Sequence, residues 1–209
     1  LKKRFSIRYK LILIFGLLIL AAGVIESLLA VRSARKAVIE KVETHLIDKA
    51  TDVAEIVDGK ANAFFQFFEG VARAPILHDP SVSYREKTAY LKKEAAFNDR
   101  IHRMDLADMR GIRHTADGRQ LDVSKGDFFI AASRGKRFLS EPLVSRLDGV
   151  LIVVFAVPIY DDNHTVTDVL LATVEASMLS HDISDIVVGK TGYCYVLGLT
   201  GTTVAMQDF

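Results

Sequence analysis

The stretch "LIVVFAVPIYDDNHTVTDVLLATV", residues 151–174, decides how the rest of the chain is read. Two runs rich in Val, Ile, Leu and Thr, Leu151–Tyr160 and Val166–Val174, flank the polar turn "DDNH". Such runs suit a pleated, buried surface, and a short polar break between them predicts two antiparallel strands. Outward from this pair the pattern continues. Arg137–Leu139 predicts a further strand. "RIHRMDLAD" (100–108) and "IRHTADG" (112–118) predict a hairpin about "MRG". "GKTGYCYVLGLTGTTVAMQDF" (189–209) predicts another, with strands Tyr193–Leu197 and Thr202–Ala205 and a turn at Gly198–Gly201. "APILHDPSV" (74–82), with two prolines, reads as a loop. Ser83 and Glu86 have capping-box spacing and introduce a helix over Tyr84–Phe97. Ser124 and Asp127 repeat that spacing before a short helix over Ser124–Arg134, and a helix is expected near Ser177–Val187. Antiparallel strands carried by helices on one side make an α+β sheet domain.

Half of the 209 residues are hydrophobic although a quarter are charged, so the apolar residues must be concentrated. They are. Leu11–Val31 carries a single charge, Glu26, and matches the roughly 20 residues that a helix needs to cross hydrocarbon. The preceding segment 1–10 holds Lys2, Lys3, Arg4, Arg8 and Lys10 and no acid, which favours a cytoplasmic N-terminus. A cleaved signal peptide would have a shorter apolar core, and here the helical pattern runs on through the end. An uncleaved anchor is the reading that fits. Through 32–72, Val38, Val42, Leu46, Ala50, Val53, Val57, Phe64, Phe68 and Val71 recur mostly at three or four residues. This stripe predicts a long stalk helix continuous with the anchor, and it suits pairing with a second copy of the same helix. The "FFQFF" cluster reads as core against a neighbouring domain.

Several chemistries find no support. Net charge is +1, so no global field recruits nucleic acid, and Arg134, Lys136 and Arg137 lack interleaved aromatics. "GKTG" at 189–192 lacks the earlier glycine of a phosphate loop. No metalloprotease or serine-hydrolase motif is present. His102 and His114, near Asp105 and Asp108, meet no ligand-spacing rule, so no metal and no cofactor is expected. Asp161–Asp162 and Asp182/Asp185 read as solvated, and Cys194 as a small core residue.

The order and spacing of several short motifs resemble a known family. These are the Asp108–Gly111 turn, Phe128–Phe129, Gly135–Lys136, Ser140–Pro142, Val157–Tyr160, Val169–Val174 and Gly189–Leu197. Together with the anchor and long helix, they look like the double Cache sensor of methyl-accepting chemotaxis proteins, a module also found on some sensor kinases and cyclases. The resemblance implies a PAS-like membrane-distal lobe over 73–187, followed at 188–209 by the first hairpin of an incomplete membrane-proximal lobe. It implies a non-enzymatic, homodimeric receptor in the inner membrane. Its sensor would lie outside and pass small-molecule binding to a cytoplasmic module. The alternative is the sensor region of a histidine kinase or diguanylate cyclase.

Members that bind free amino acids carry an Arg-x-Trp-Tyr, a Tyr-x-Asp and a distant Asp. Aligned to this chain, the arginine falls on Gly126 and the aromatic pair on Phe128 and Phe129. The Tyr-x-Asp falls on Leu143 and Ser145, and the last Asp on Thr173. A one-residue shift would offer Lys125 for the arginine. Losing two charge-assisted anchors, at about 1.5–3 kcal/mol per bond, implies roughly 100-fold or more in affinity. The resemblance therefore implies that free α-amino acids do not bind. A less polar ligand, or none, is expected in a pocket near Phe128, Phe129, Phe155 and Thr173.

Overall fold

The computed structural model describes residues 7–176, 195–198, 201 and 203–206. By its internal contacts the chain divides into two units, Leu1–Thr51 and Asp52–Phe209. The long helix α1 spans Ile7–Ala72 without interruption. In the first unit its Leu11–Val31 stretch is exposed, and α1 is long and apolar enough to cross a membrane. Val38, Val42 and Leu46 of the stripe are exposed as well.

The second unit begins with the last turns of α1, where Val53, Phe65, Phe68, Val71 and Ala72 are buried. Pro75–His78, expected as loop, instead forms a one-turn helix, α2, with Pro75 where a helix needs no amide donor. Helix α3, Tyr84–Ala95, opens with the expected capping box. Ser83 Oγ accepts from the Glu86 amide and Glu86 Oε2 accepts from the Ser83 amide. Three strands follow: β1, Ile101–Asp108; β2, Ile112–His114; and β3, Gln120–Asp122. Helix α4 then spans Asp127–Ser133. Its cap is Gly126, not Ser124, with no side-chain cap bond, and the Ser124 amide donates to Asp122 Oδ1 at 2.9 Å. After α4 come β4, Phe138–Leu139; β5, Leu143–Val144; β6, Leu151–Tyr160; and β7, Val166–Glu175. The two-residue β5 has no sequence pattern long enough to register.

The sheet runs β3-β2-β1-β7-β6-β4, with β5 also on β6, and every pairing is antiparallel. The quoted hairpin is its centre, buried along nearly its whole length. Alternation sends successive residues to opposite faces. Val153, Phe155, Val157 and Ile159 meet Phe68, Leu77 and Leu91 from α1, α2 and α3, while Ile152, Val154 and Ala156 meet Phe129 and Ala132 of α4. Helices therefore cover both faces, not one, because "FFIAA" is itself apolar and buries Phe129 and Ala132 against the second face. Pro158 is tolerated inside β6 because β4 pairs only as far as Ala156, leaving no second neighbour there.

Strands β8, Tyr195–Leu197, and β9, Thr203–Met206, form a two-stranded sheet of their own across the Gly198–Gly201 turn. The helix expected over Ser177–Val187, Asp182, Asp185, Cys194 and the 189–192 turn lie outside the described residues.

Candidate ligand cavity

A cavity of about 450 Å³ opens on the α4 side of the sheet, between the β3–α4 loop, β5 with its following turn, and the inner strands. The loop is held by the Val123 amide, which donates to Gly111 O at 2.8 Å, and Gly111 has φ +80, which a side chain would resist. The Ser145–Gly149 turn is closed by the Ser145 amide on Val150 O (2.8 Å), the Gly149 amide on Ser145 O (2.9 Å) and the Leu147 amide on Ser145 Oγ (3.2 Å).

Of the expected site residues, Phe128, Leu143 and Ser145 line this cavity, as does Gly126. Phe129 is buried in the core beneath α4. Thr173 lies on the same sheet face, paired with the cavity-lining Val154, but its hydroxyl donates to Arg103 O at 3.3 Å and it is sealed from the cavity at 1% exposure. Phe155 belongs elsewhere. It points to the opposite face, where its ring lies 5.4 Å from Phe64, 5.1 Å from Phe65 and 5.4 Å from Phe68. Grouping Phe155 with Phe128 ignored the strand alternation that separates residues 154 and 155.

The cavity wall also carries Arg113, to which the motif comparison did not point, and which is paired with Asp105 behind the wall. Arg113 on β2 faces Ala107 of β1, so it shares a face with Asp105 two residues earlier. Its Nε and Nη2 both donate to Asp105 Oδ2, at 2.9 and 2.5 Å. Asp105 is fully buried and its Oδ1 has no partner. Burial pushes the Asp105 carboxyl above its ordinary value, and Arg113 opposes that rise. A sequence signal did exist: an aspartate inside the apolar alternation of "RMDLAD" has to find a cation. Lys125 and Arg146 stand exposed at the cavity mouth with Asp122. The hydrogen bonds from Ser124, aided by the field of Lys125 and Arg146, hold Asp122 below its ordinary value.

A larger cleft of about 850 Å³ lies by the β6–β7 turn. Several of its polar groups are committed to structure. Arg137 donates to Asn62 and Glu69 and lies over the Phe65 ring, Asp161 Oδ1 accepts from the Asn163 and Thr165 amides, and the Tyr160 hydroxyl donates to Gly135 O. His102 and His114 are held apart by different partners. His102 Nε2 lies 2.8 Å from Asp148 Oδ2, whereas His114 stacks on Tyr84 at 4.1 Å and reaches Asp108 Oδ2 at 3.4 Å. Among the described residues no group of three or more His, Cys, Asp or Glu side chains is placed to hold a metal ion.

No family model matches this chain, and no curated protein matches it. Solved structures do. The ligand-binding domain of the Pseudomonas fluorescens chemoreceptor CtaA, in complex with L-isoleucine, superposes with a TM-score of 0.65 at 16% identity, covering 82% of this chain and 71% of that one. The ligand-binding domain of the Campylobacter jejuni chemoreceptor Tlp3, in complex with 4-methylisoleucine, gives 0.60 at 14% identity, covering 80% and 70%. The sensor domain of E. coli DcuS gives 0.50 at 21% identity, covering 62% and 98%. At these identities the likeness establishes the fold, and the chemistry of the cavity rests on its own residues.

Proposed function

We propose that this chain, whose fold is that of the Cache-type sensor domains, is the membrane-anchored ligand sensor of a chemotaxis receptor. The observation that carries the reading is the cavity beside α4. A binding site is concave, mostly apolar and supplied with a few fixed polar groups, and this cavity has all three properties in a fold that chemoreceptors use to hold small molecules. The apolar Leu11–Val31 stretch anchors the chain. The basic residues before it keep the N-terminus in the cytoplasm, and the sheet domain lies outside the inner membrane. The exposed Val38, Val42 and Leu46 provide the contact for a homodimer through the long helix. The ligand is a small molecule other than a free α-amino acid. Gly126, Leu143, Ser145 and Thr173 stand where the amino-acid binders carry charge or a phenol.

Binding and topology are tested on the full chain. Calorimetry in detergent with the twenty amino acids and a set of small organic acids should give saturable binding, lost on Phe128→Ala. For topology, a cysteine placed at Ser81 in a Cys194→Ser background should be labelled by an impermeant thiol reagent in intact cells. No binding by any compound would overturn the sensing role, and a protected cysteine would overturn the topology.

A further inference from the structure

Resting on the sensor reading above, we propose that the cavity beside α4 selects small organic monoanions, a carboxylate on an apolar body, and discriminates against an adjacent ammonium. Arg113 is its anchor.

The charges at the site decide this. Arg113 of the wall is paired with the buried Asp105 behind it, and Lys125 and Arg146 at the mouth are opposed by Asp122, which leaves one positive charge in excess, the complement of one carboxylate. Arg113 presents donors that the protein does not use. Its Nε and Nη2 are bound to Asp105 Oδ2, and Nη1 donates to no acceptor among the described residues. The ion pair also pins the guanidinium before a ligand arrives, so little is lost in ordering it on binding.

An ammonium has no comparable partner. The unpartnered Asp105 Oδ1 is sealed inside the protein, and its carboxylate is already neutralised by Arg113. Asp122 is exposed, accepts from the Ser124 amide, and sits in the field of Lys125 and Arg146, which repels a second cation. The remaining wall is apolar: Leu121, Val123, Phe128, Leu143, Ile152 and Val154 would surround the body of the ligand. About 450 Å³ lies toward the small end of ligand cavities, so the body is a short branched chain or a single ring.

The test is calorimetry on the full chain in detergent with matched probes. These are 4-methylpentanoate and 3-phenylpropanoate as acids, 4-methylpentanamide without the charge, and L-leucine with the ammonium added. At least one acid should bind, with the amide and leucine each about tenfold or more weaker than 4-methylpentanoate if that acid binds. Lys125→Gln and Arg146→Gln should each weaken the acid without moving the melting temperature, and less so at high salt. Arg113→Ala alone would strand Asp105, so the anchor is tested in the double variant Asp105→Leu/Arg113→Leu. Apolar replacement of both partners can preserve folding, and a folded double variant should lose acid binding. The proposal is overturned if leucine or the amide binds as well as 4-methylpentanoate, if the folded double variant still binds, or if neither acid binds. If leucine wins, the sensor reading survives. Only silence from every amino acid and acid would sink that reading too.

Discussion

Replacing Phe155 by alanine separates the two faces of the sheet by experiment. The ring is 2% exposed and touches three α1 phenylalanines at centroid distances of 5.1–5.4 Å. Truncating a buried phenylalanine costs about 3–5 kcal/mol, through lost burial and the cavity left behind. The three ring contacts, at about 0.5–1.5 kcal/mol each beyond area, place Phe155→Ala in the upper half of that range. A domain stabilised by about 5–15 kcal/mol would lose about a quarter or more of its margin. At about 2–4 °C per kcal/mol for a domain of this size, the melting temperature should fall by roughly 8–20 °C. The chain has no tryptophan, and α1 would dominate far-ultraviolet signals. The measurement is therefore near-ultraviolet circular dichroism, with hydrogen exchange of peptides from β6 and β7. Phe128→Ala is the control. Phe128 is only half-buried and lines the cavity, so its loss should cost less stability and more ligand affinity. If Phe155→Ala melts within about 2 °C of the parent, or abolishes binding while stability holds, the assignment of Phe155 to the α1 face is wrong.

Gly111→Ala should destabilise by more than about 2 kcal/mol, since φ is +80 and the new Cβ would lie 2.5 Å from Ser124 Cβ and 2.6 Å from its Cα. Exchange at the Val123 amide should rise, and ligand affinity should fall, because the β3–α4 loop would be displaced. Asp168→Asn tests a buried carboxyl. Burial raises the Asp168 pKa, while the Tyr84 hydroxyl donating at 2.7 Å opposes the rise. A raised carboxyl stabilises the fold fully below its unfolded value and loses that contribution as pH rises through its folded value. The parent should therefore lose ground to the asparagine variant in urea midpoints as pH rises above about 4. A difference independent of pH would refute the shift. Ser83→Ala should cost about 1 kcal/mol through loss of the α3 cap, read as a lower urea midpoint with an unchanged slope.

The sheet was legible because its central strands carry long unbroken apolar runs, and α3 because Ser83 and Glu86 announce its start. What escaped was short or set by tertiary contact. β5 is two residues long, and α2 turns on a proline that reads equally well as loop. At α4, the Ser124–Asp127 spacing was present but the helix starts at Asp127 with Gly126 as its cap. For the site, the order of motifs located Phe128, Leu143 and Ser145 on one cavity. It could not find Arg113, because the pairing of β1 with β2 brings Arg113 to the same face as Asp105. Nor could it separate Phe155 from Phe128 without applying period-two alternation to a strand already recognised.

That alternation makes β6 a wall one residue thick. Ile152 and Val154 line the cavity, while Val153 and Phe155 are wedged among the α1 aromatics. Packed interiors compress little. A ligand that pushes on Val154 cannot be absorbed by local slack, since the neighbouring Phe155 must shift against Phe64, Phe65 and Phe68 by a comparable amount. On the sensor reading proposed above, occupancy on one side of the strand would be felt as pressure on the last turns of α1, with no relay of side chains between them. Side-chain volume at Phe155 becomes a gain control: a smaller residue there should soften the response to ligand even when binding is intact.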